Sequence, residues 1–138
     1  MSGGSGFLGS HLCERLLQSG HSVIALDDFS TGARDNVRDL GALGDFEVLD
    51  RDVGVPFDAH VDGIFNLACP ASPIQYQRYP TRTIKTSILG AINSLDLAKK
   101  LGVTVLQVST SEVYGDPRES PQVEEYWGNV NPIGIRAC

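Results

Sequence analysis

The sequence predicts an α/β fold, a doubly wound parallel sheet, and three observations support this. Short apolar runs at residues 22–26, 46–49, 63–68 and 104–108 have the length and continuity of strands that are covered on both faces. Segments with apolar residues at helical spacing, residues 7–17 and 81–101, lie between them. A glycine stands at every third position from Gly3 to Gly9, directly before the first helical segment. Strand and helix therefore alternate along the chain.

The glycines at the start of the chain predict a phosphate-binding turn. Gly3, Gly6 and Gly9 let the backbone turn sharply and approach a pyrophosphate, and the helix that opens at Phe7 and Leu8 directs free N–H groups at the anion. The spacing alone is weak, since glycines in a flexible tail look similar, but the helix and strand that follow favour a dinucleotide site. Only Met1 and Ser2 precede Gly3, so the strand that should lead into such a turn is predicted to be absent.

Polar residues follow the next two apolar runs. Asp27 ends residues 22–26, where a carboxylate can accept hydrogen bonds from both ribose hydroxyls; a turn-capping Asp is the alternative. Its negative charge would repel a 2′-phosphate, so NAD is expected in preference to NADP. Asp52 and Val53 are a weaker candidate for the adenine edge, because an Asp after a strand is more often a turn residue. The loop predicted to meet the adenosine end comprises Asp28, Phe29, Ser30, Thr31 and Gly32.

The later strand ends predict the reactive side of the site. The run at residues 63–68 ends in Leu67 and Ala68 and opens into a small, rigid loop, residues 69–73, which suits a wall against a cofactor or a sugar; a plain connection is the alternative. Hydroxyls and a carboxylate gather after residues 104–108. Because the carboxyl ends of parallel strands face the ligand crevice, a binding or catalytic role is predicted for this group in preference to ordinary loop polarity. Its members are Ser109, Thr110, Ser111 and Glu112.

The long helical segment, residues 81–101, is predicted to cover the sheet with one apolar face and to have apolar surface left over for another subunit. The face predicted to be buried comprises Ile84, Ile88, Ala91, Ile92, Leu95 and Ala98, widened by Leu89, Leu97 and Leu101. Arg78, Arg82 and Lys85 are assigned to its solvated side. Beyond Asp116 the chain has no clear periodicity and is predicted to be a long functional loop.

Composition limits the kinds of partner. The chain has 138 residues, 41% of them hydrophobic, and a formal net charge of −6, which argues against nucleic acid and anionic membranes as partners. Cys13, Cys69 and Cys138 are scattered, so neither a disulfide framework nor a metal site is expected, and a reduced, cytoplasmic location is the default. We expect residues 1–138 to form one domain or part of one.

The motifs together resemble those of the extended short-chain dehydrogenase/reductases, the NAD-dependent epimerase/dehydratase family. The general motifs are Gly3-x-x-Gly6-x-x-Gly9, Asp27, Asp52-Val53 and the segment from Ser109 to Gly115. Two narrower motifs resemble the UDP-glucuronate decarboxylase branch, which makes UDP-xylose. They are Cys69-Pro70-Ala71-Ser72-Pro73 with Tyr76, and residues 126–134.

The resemblance implies a Rossmann-like sheet of strand order 3-2-1-4-5, NAD bound across its switch point, and a UDP-sugar substrate that is oxidised at C4, decarboxylated and reduced again. It assigns Thr110, Ser111 and Glu112 to the active site and adds Ser87 and Ser109 to the cofactor contacts. Substrate contacts are implied for Pro70, Ala71, Ser72 and Tyr76. Full-length relatives are implied to be homodimers.

The sequence also departs from the family pattern. The family's Tyr-x-x-x-Lys motif would begin after Cys138, so the first strand, this motif and the C-terminal substrate-binding part are expected to be missing and the chain to be inactive, without a defined dimer. Ser87 replaces the usual Asn, and Ile135 stands where Pro is common. The alternatives are another nucleotide-sugar epimerase, a 4,6-dehydratase, which would carry Asp-Glu at Ser111-Glu112, or a non-catalytic nucleotide-binding module.

Overall fold

The computed structural model describes residues 1–134, which fall into two compact units. The first unit, Met1–Gln107, contains the four strands and three α-helices that are assigned within residues 1–134. The second begins at Val108 and is described by itself. The elements of the first unit are α1 (Phe7–Gln18), β1 (Val23–Asp27), β2 (Phe46–Asp50), β3 (Gly63–Asn66), α2 (Pro73–Arg78), α3 (Pro80–Leu101) and β4 (Thr104–Gln107), with 3₁₀ turns at Arg34–Asn36 and Leu40–Ala42.

The strands form a parallel sheet with its order as predicted. β1 pairs with β2, Val23 opposite Phe46, and β3 pairs with β4, Gly63 opposite Thr104. The predicted strands therefore all exist, and only their ends differ by a residue or two. α1 also matches the helical segment predicted at residues 7–17: it ends at Gln18, and Gly20, with a φ of +84°, follows.

The prediction that the full first strand is absent is confirmed: no strand is assigned before α1 in the described residues, and Ser2 forms only single bridges, to Leu26 and to Asn66. Met1, Ser2 and Gly3 occupy the central position of the sheet and join its two halves. On one side, the Leu26 amide donates to the Met1 carbonyl and the Gly3 amide to the Leu26 carbonyl, both at 2.8 Å. On the other, the Ser2 amide donates to Phe65 at 2.9 Å and its carbonyl accepts from Leu67 at 3.0 Å. These few residues are enough to give the order β2, β1, Met1–Gly3, β3, β4.

Two buried clusters pack against the sheet. One joins α1 to β1 and comprises Cys13, Leu17, Val23, Ala25, Val37 and Leu40. The other joins β3 to α3 and comprises Ile64, Leu97 and Ala98. β1 is short and continuously apolar because both of its faces are covered and excluded from water.

The predicted buried face of α3 was largely wrong. The residues that face the protein are small or at the C-terminal end, namely Gly90, Ser94, Leu97 and Ala98. The larger predicted members, Ile84, Ile88, Ile92 and Leu95, are exposed. Gly90 shows why α3 packs with its small residues inward: a Cβ at this position would lie 2.8 Å from Val53 Cγ1, too close for any larger residue. The helix approaches the sheet closely along its small residues and leaves its large aliphatic residues outside.

The second unit contains a 3₁₀ turn, Ser111–Tyr114, and its chain returns at Asn129 to form a bridge with Gly115. The Asn129 amide donates to the Tyr114 carbonyl at 2.8 Å, and the Asn129 carbonyl accepts from the Asp116 amide at 3.1 Å. Tyr114 and Tyr126 stack with ring centroids 5.8 Å apart. The predicted departure at Ile135 lies outside the described residues. Across residues 1–134, no helix is long and apolar enough to cross a membrane.

Candidate functional site

A cleft opens at the carboxyl ends of β1, β2 and β3. Its walls come from the glycine turn, the segments that follow each of these strands, and one residue of α3. The lining residues are Gly3, Gly6, Leu26, Asp27, Asp28, Ser30, Thr31, Gly32, Arg51, Asp52, Val53, Leu67, Ala68, Cys69, Pro70 and Thr86. Most of the predicted cofactor residues of the first unit are among them, so the topology brings distant parts of the chain to one sheet edge.

The glycine turn is built of backbone that leaves no room for side chains. Gly3 has a φ of +73°, and a Cβ on it would lie 2.9 Å from the amide nitrogen of Ala68. A Cβ on Gly9 would lie 2.0 Å from the carbonyl oxygen of Gly3. No side chain caps the N-terminus of α1 among the described residues. The first amides of a helix have no partner within the helix, so this end offers donors to a pyrophosphate.

Asp27 presents a prearranged carboxylate in this cleft. It is buried, and Oδ2 accepts the Ser5 amide at 2.8 Å while Oδ1 accepts the Phe29 amide at 2.9 Å. A carboxylate has about four acceptor positions, so two further hydrogen bonds remain possible for the hydroxyls of a ribose. The bare glycine backbone and this carboxylate together fit a dinucleotide such as NAD.

Asp28 lies beside Asp27 and is engaged differently. Its Oδ1 accepts the Ser30 amide at 2.9 Å, and its Oδ2 accepts from Arg82 Nη2 at 2.8 Å. Partial burial acts to raise the pKa of Asp28, but the hydrogen bonds from Ser30 and the Arg82 guanidinium outweigh it and hold that pKa below its ordinary value. Arg82, which was assigned to the solvated side of the helix, is thus ion-paired to the cleft wall.

Some predicted residues do not line the cleft. In the first unit these are Phe7, Leu8, Gly9, Phe29, Ser87, Ala71, Ser72 and Tyr76. Tyr76 and its neighbours form α2, a helix that was not predicted, and the Ser87 hydroxyl lies 3.5 Å from Cys69 Sγ. The roles assigned to all of these residues stay predictions.

Three residues that line the cleft were not predicted, namely Leu26, Arg51 and Thr86, whereas Cys69 belongs to the loop 69–73 that was predicted as a wall of the site. Leu26 and Arg51 stand next to the predicted residues Asp27 and Asp52, so position at a strand end is the signal that could have found them. Ser87 was predicted in place of Thr86, because the sequence does not fix the rotation of α3 that turns Thr86 to the cleft.

The predicted catalytic residues belong to the second unit. Thr110 caps the 3₁₀ turn, and its Oγ1 accepts the Glu112 amide at 3.2 Å. Ser109, Thr110, Ser111 and Glu112 are all exposed, so two kinds of proton-handling group, hydroxyl and carboxylate, lie close together at the surface of this unit. In residues 1–134 no group of His, Cys, Asp and Glu is arranged to hold a metal ion.

A model of the NAD dependent epimerase/dehydratase family matches residues 1–134. The chain belongs to this family. The resemblance inferred from the motifs is therefore confirmed, and so is NAD as the family's cofactor. The matched range includes both the glycine turn and the hydroxyl-rich segment at 109–112.

Individual relatives narrow the comparison. The chain is 52% identical over its whole length to UDP-glucuronic acid decarboxylase 2 of Arabidopsis thaliana and 50% identical to UDP-glucuronic acid decarboxylase 1 of Xenopus tropicalis. It spans only 31% and 33% of the length of these relatives. UDP-glucose 4-epimerase of Thermus thermophilus, solved as a complex with NAD, superposes with a TM-score of 0.74 at 27% identity, over 99% of this chain and 45% of that one. The predicted fold class, a Rossmann-like parallel sheet, is confirmed.

Proposed function

We propose that this chain is the NAD-binding part of a UDP-glucuronate decarboxylase, an enzyme that converts UDP-glucuronate into UDP-xylose. The observation that carries the proposal is the Asp27 carboxylate, buried at the end of β1 and fixed by two amides at the edge of a glycine-walled cleft. The identity to decarboxylases over the whole chain supports this branch of the family over the epimerases.

The first unit would hold the cofactor. Gly3, Gly6 and the N-terminus of α1 would bind the pyrophosphate, and Asp27 would accept from the hydroxyls of the adenosine ribose. Thr31 and Gly32 would wall that ribose, with Asp52 and Val53 at the adenine edge. Bound NAD would supply the hydride acceptor for oxidation of the sugar at C4 and the hydride donor for the final reduction. Residues 1–138 would then be part of one dinucleotide-binding domain.

The hydroxyl-rich segment would serve the sugar. Because Thr110 Oγ1 accepts the Glu112 amide, its own proton stays available for a sugar oxygen. Ser111 offers a second hydroxyl one residue away. Glu112 would exchange protons near the carboxylate that leaves as carbon dioxide. The Cys69–Pro73 loop and Tyr76 would contact the UDP-sugar.

The proposal is tested by grafting these residues into a complete relative. A chimaera of Arabidopsis UDP-glucuronic acid decarboxylase 2, with its matching segment replaced by residues 1–138, is expected to form UDP-xylose and carbon dioxide from UDP-glucuronate. Glu112→Gln in the chimaera should lower kcat by about 100-fold, in the range of lost acid–base catalysis.

The matched control is Glu119→Gln, which removes an exposed carboxylate of the same unit and should leave the rate unchanged. Interconversion of UDP-glucose and UDP-galactose by the chimaera would favour an epimerase instead. A folded chimaera that binds NAD but transforms neither sugar would contradict the proposal.

A further inference from the structure

We propose that Arg82, which lies beside the cleft, is a specificity-determining residue: Asp28 holds its guanidinium, and without the Asp28 carboxylate Arg82 becomes a binding group for the 2′-phosphate of NADP. The inference rests on the proposed function, because it concerns the same dinucleotide site. The Asp28 carboxylate then disfavours NADP in two ways: it repels the 2′-phosphate, and it occupies the guanidinium of Arg82.

The two residues meet from different parts of the first unit. Asp28 follows β1 and lines the cleft, whereas Arg82 is the third residue of α3. Arg82 Nη2 lies 2.8 Å from Asp28 Oδ2, and the side chains keep 50% and 29% of their exposure. Ser30 holds the second oxygen of Asp28, which fixes the carboxylate in one orientation. Arg82 is therefore hydrogen-bonded to Asp28, the residue that follows Asp27 in the sequence.

The charges near Asp27 determine how the ion pair of Asp28 and Arg82 would affect a 2′-phosphate. Asp27 and Asp28 are adjacent carboxylates, and a phosphate on the ribose 2′ oxygen would face both. Arg82 neutralises Asp28 and is itself occupied by it, so its remaining N–H groups are oriented by the ion pair. Guanidinium is planar, always charged and suited to phosphate recognition, which makes it the natural ligand for a 2′-phosphate once it is released.

A purely structural role for the ion pair makes a different prediction. If the pair only ties α3 to the loop after β1, removal of either partner should change the affinities for NAD and NADP by the same factor. If Arg82 is held back from the cofactor, the ratio of the two affinities should change, and it should change in opposite senses for the two partners.

The test measures dissociation constants of NAD and NADP by calorimetry for the 138-residue chain and its variants. In Asp28→Ala the affinity for NADP relative to NAD should rise by about tenfold, the strength of one hydrogen bond between charged groups. In Arg82→Ala it should fall, because the Asp28 carboxylate then has no guanidinium to neutralise it. In the double variant Asp28→Ala/Arg82→Ala most of the gain should disappear, although the repulsive carboxylate is absent there too.

Two controls keep the result interpretable. Asp58→Ala removes a carboxylate of another exposed ion pair, Asp58 with Lys100 at 2.7 Å, whose residues do not line the cleft, and it should leave the ratio unchanged. Asp28→Asn removes the charge but keeps an oxygen for the Ser30 amide, so it covers the case in which the Ala variant misfolds. The gain should also shrink as salt is raised.

If Asp28→Asn and Asp28→Asn/Arg82→Ala bind NADP equally well and both still bind NAD, the inference is wrong, but the proposed function is not affected. A wild-type chain that binds neither dinucleotide would overturn the proposed function as well.

Discussion

At the scale of single residues, the two cysteines of the first unit show how burial decides reactivity. Cys13 has no exposed surface, and its thiol points at the Gly4 carbonyl, 3.9 Å away. Burial raises the pKa of Cys13 to about 11. Cys69 is exposed and lines the cleft. Since the thiolate is the nucleophile, the same side chain is inert in one place and available in the other.

Alkylation should therefore separate the two cysteines. In a Cys138→Ser variant, iodoacetamide at pH 8 is expected to modify Cys69 and leave Cys13 unmodified, because the buried thiol keeps its proton until far higher pH. NAD should slow the modification of Cys69, which it would cover. Peptide mass mapping checks both statements, with Cys69→Ser as the control. Modification of Cys13 in the native chain, or no protection by NAD, would contradict the geometry.

The residues of the cleft were predictable to different degrees. Asp27 and the glycines follow from spacing, because a strand end and a sharp turn each demand particular residue types at fixed places. Thr86 and Arg82 were not predictable, since the pattern of α3 fixes its period but not its rotation on the sheet. Arg82 was assigned to solvent by default, and only the fold shows that Asp28 lies within its reach.

At the scale of elements, α1 depends on the close contact of its first turn with the glycine turn. The tightest point is Gly9, whose absent side chain lets α1 lie against the Gly3 carbonyl. A substituent there would have to push the helix away from the residues that join β1 and β3. Binding and stability thus depend on the same contact.

Gly9→Ala should lower the free energy of unfolding by about 1–3 kcal/mol, the usual cost of overpacking, and abolish NAD binding. Gly41→Ala is the matched control, because a Cβ at Gly41 would meet no atom within 4 Å. We expect that variant to keep its stability and its affinity. Urea denaturation and calorimetry provide the two measurements. Unimpaired NAD binding in Gly9→Ala would show that the turn can relax and that its tight packing is dispensable.

The positions of strands and helices along the chain were predicted better than the side of α3 that is buried. Apolar runs and helical periodicity located all four strands, α1 and α3, because these patterns report burial directly. α2 was missed since it follows a proline-rich loop and is only six residues long. The face of α3 was missed because periodicity counts large apolar residues, whereas the sheet accepts small ones at Gly90 and Ser94. At the centre of the sheet the predicted loss of a full strand holds, but three residues carry no period from which the bridges of Ser2 to Leu26 and Asn66 could have been predicted.

At the scale of the whole molecule, the exposed aliphatic row on α3 has no cover among the described residues. Ile84, Ile88, Ile92 and Leu95 keep between 43% and 55% of their surface. Contiguous apolar surface of this kind promotes association.

We expect the 138-residue chain to associate weakly and without a defined stoichiometry. Its average mass in light scattering should rise with protein concentration, because the row is apolar but lacks a matched partner surface. Ile88→Ser/Ile92→Ser should suppress the rise, whereas Val123→Ser, an exposed apolar residue of the second unit, should not. A sharp dimer mass for the unmodified chain would contradict this expectation.

The last prediction separates cofactor binding from catalysis in the 138-residue chain. We expect the cleft to bind NAD. The sequence contains no Tyr followed four residues later by Lys, the pair that the resemblance implies as the source of the base for hydride transfer. Only Met1, Ser2 and Gly3 fill the centre of the sheet, so the strands gain few ladder hydrogen bonds there, each worth about 0.5–1.5 kcal/mol.

We therefore expect a broad, low thermal transition without cofactor and a sharper, higher one with NAD, because a ligand at about 100 times its Kd adds about 2.7 kcal/mol to the folded state. Differential scanning calorimetry measures this shift, and Asp27→Ala should remove it. Incubation with NAD and UDP-glucuronate should give no UDP-xylose even when the shift is full. Formation of UDP-xylose by these 138 residues would show that Thr110, Ser111 and Glu112 suffice for proton transfer, and that the missing base is not required.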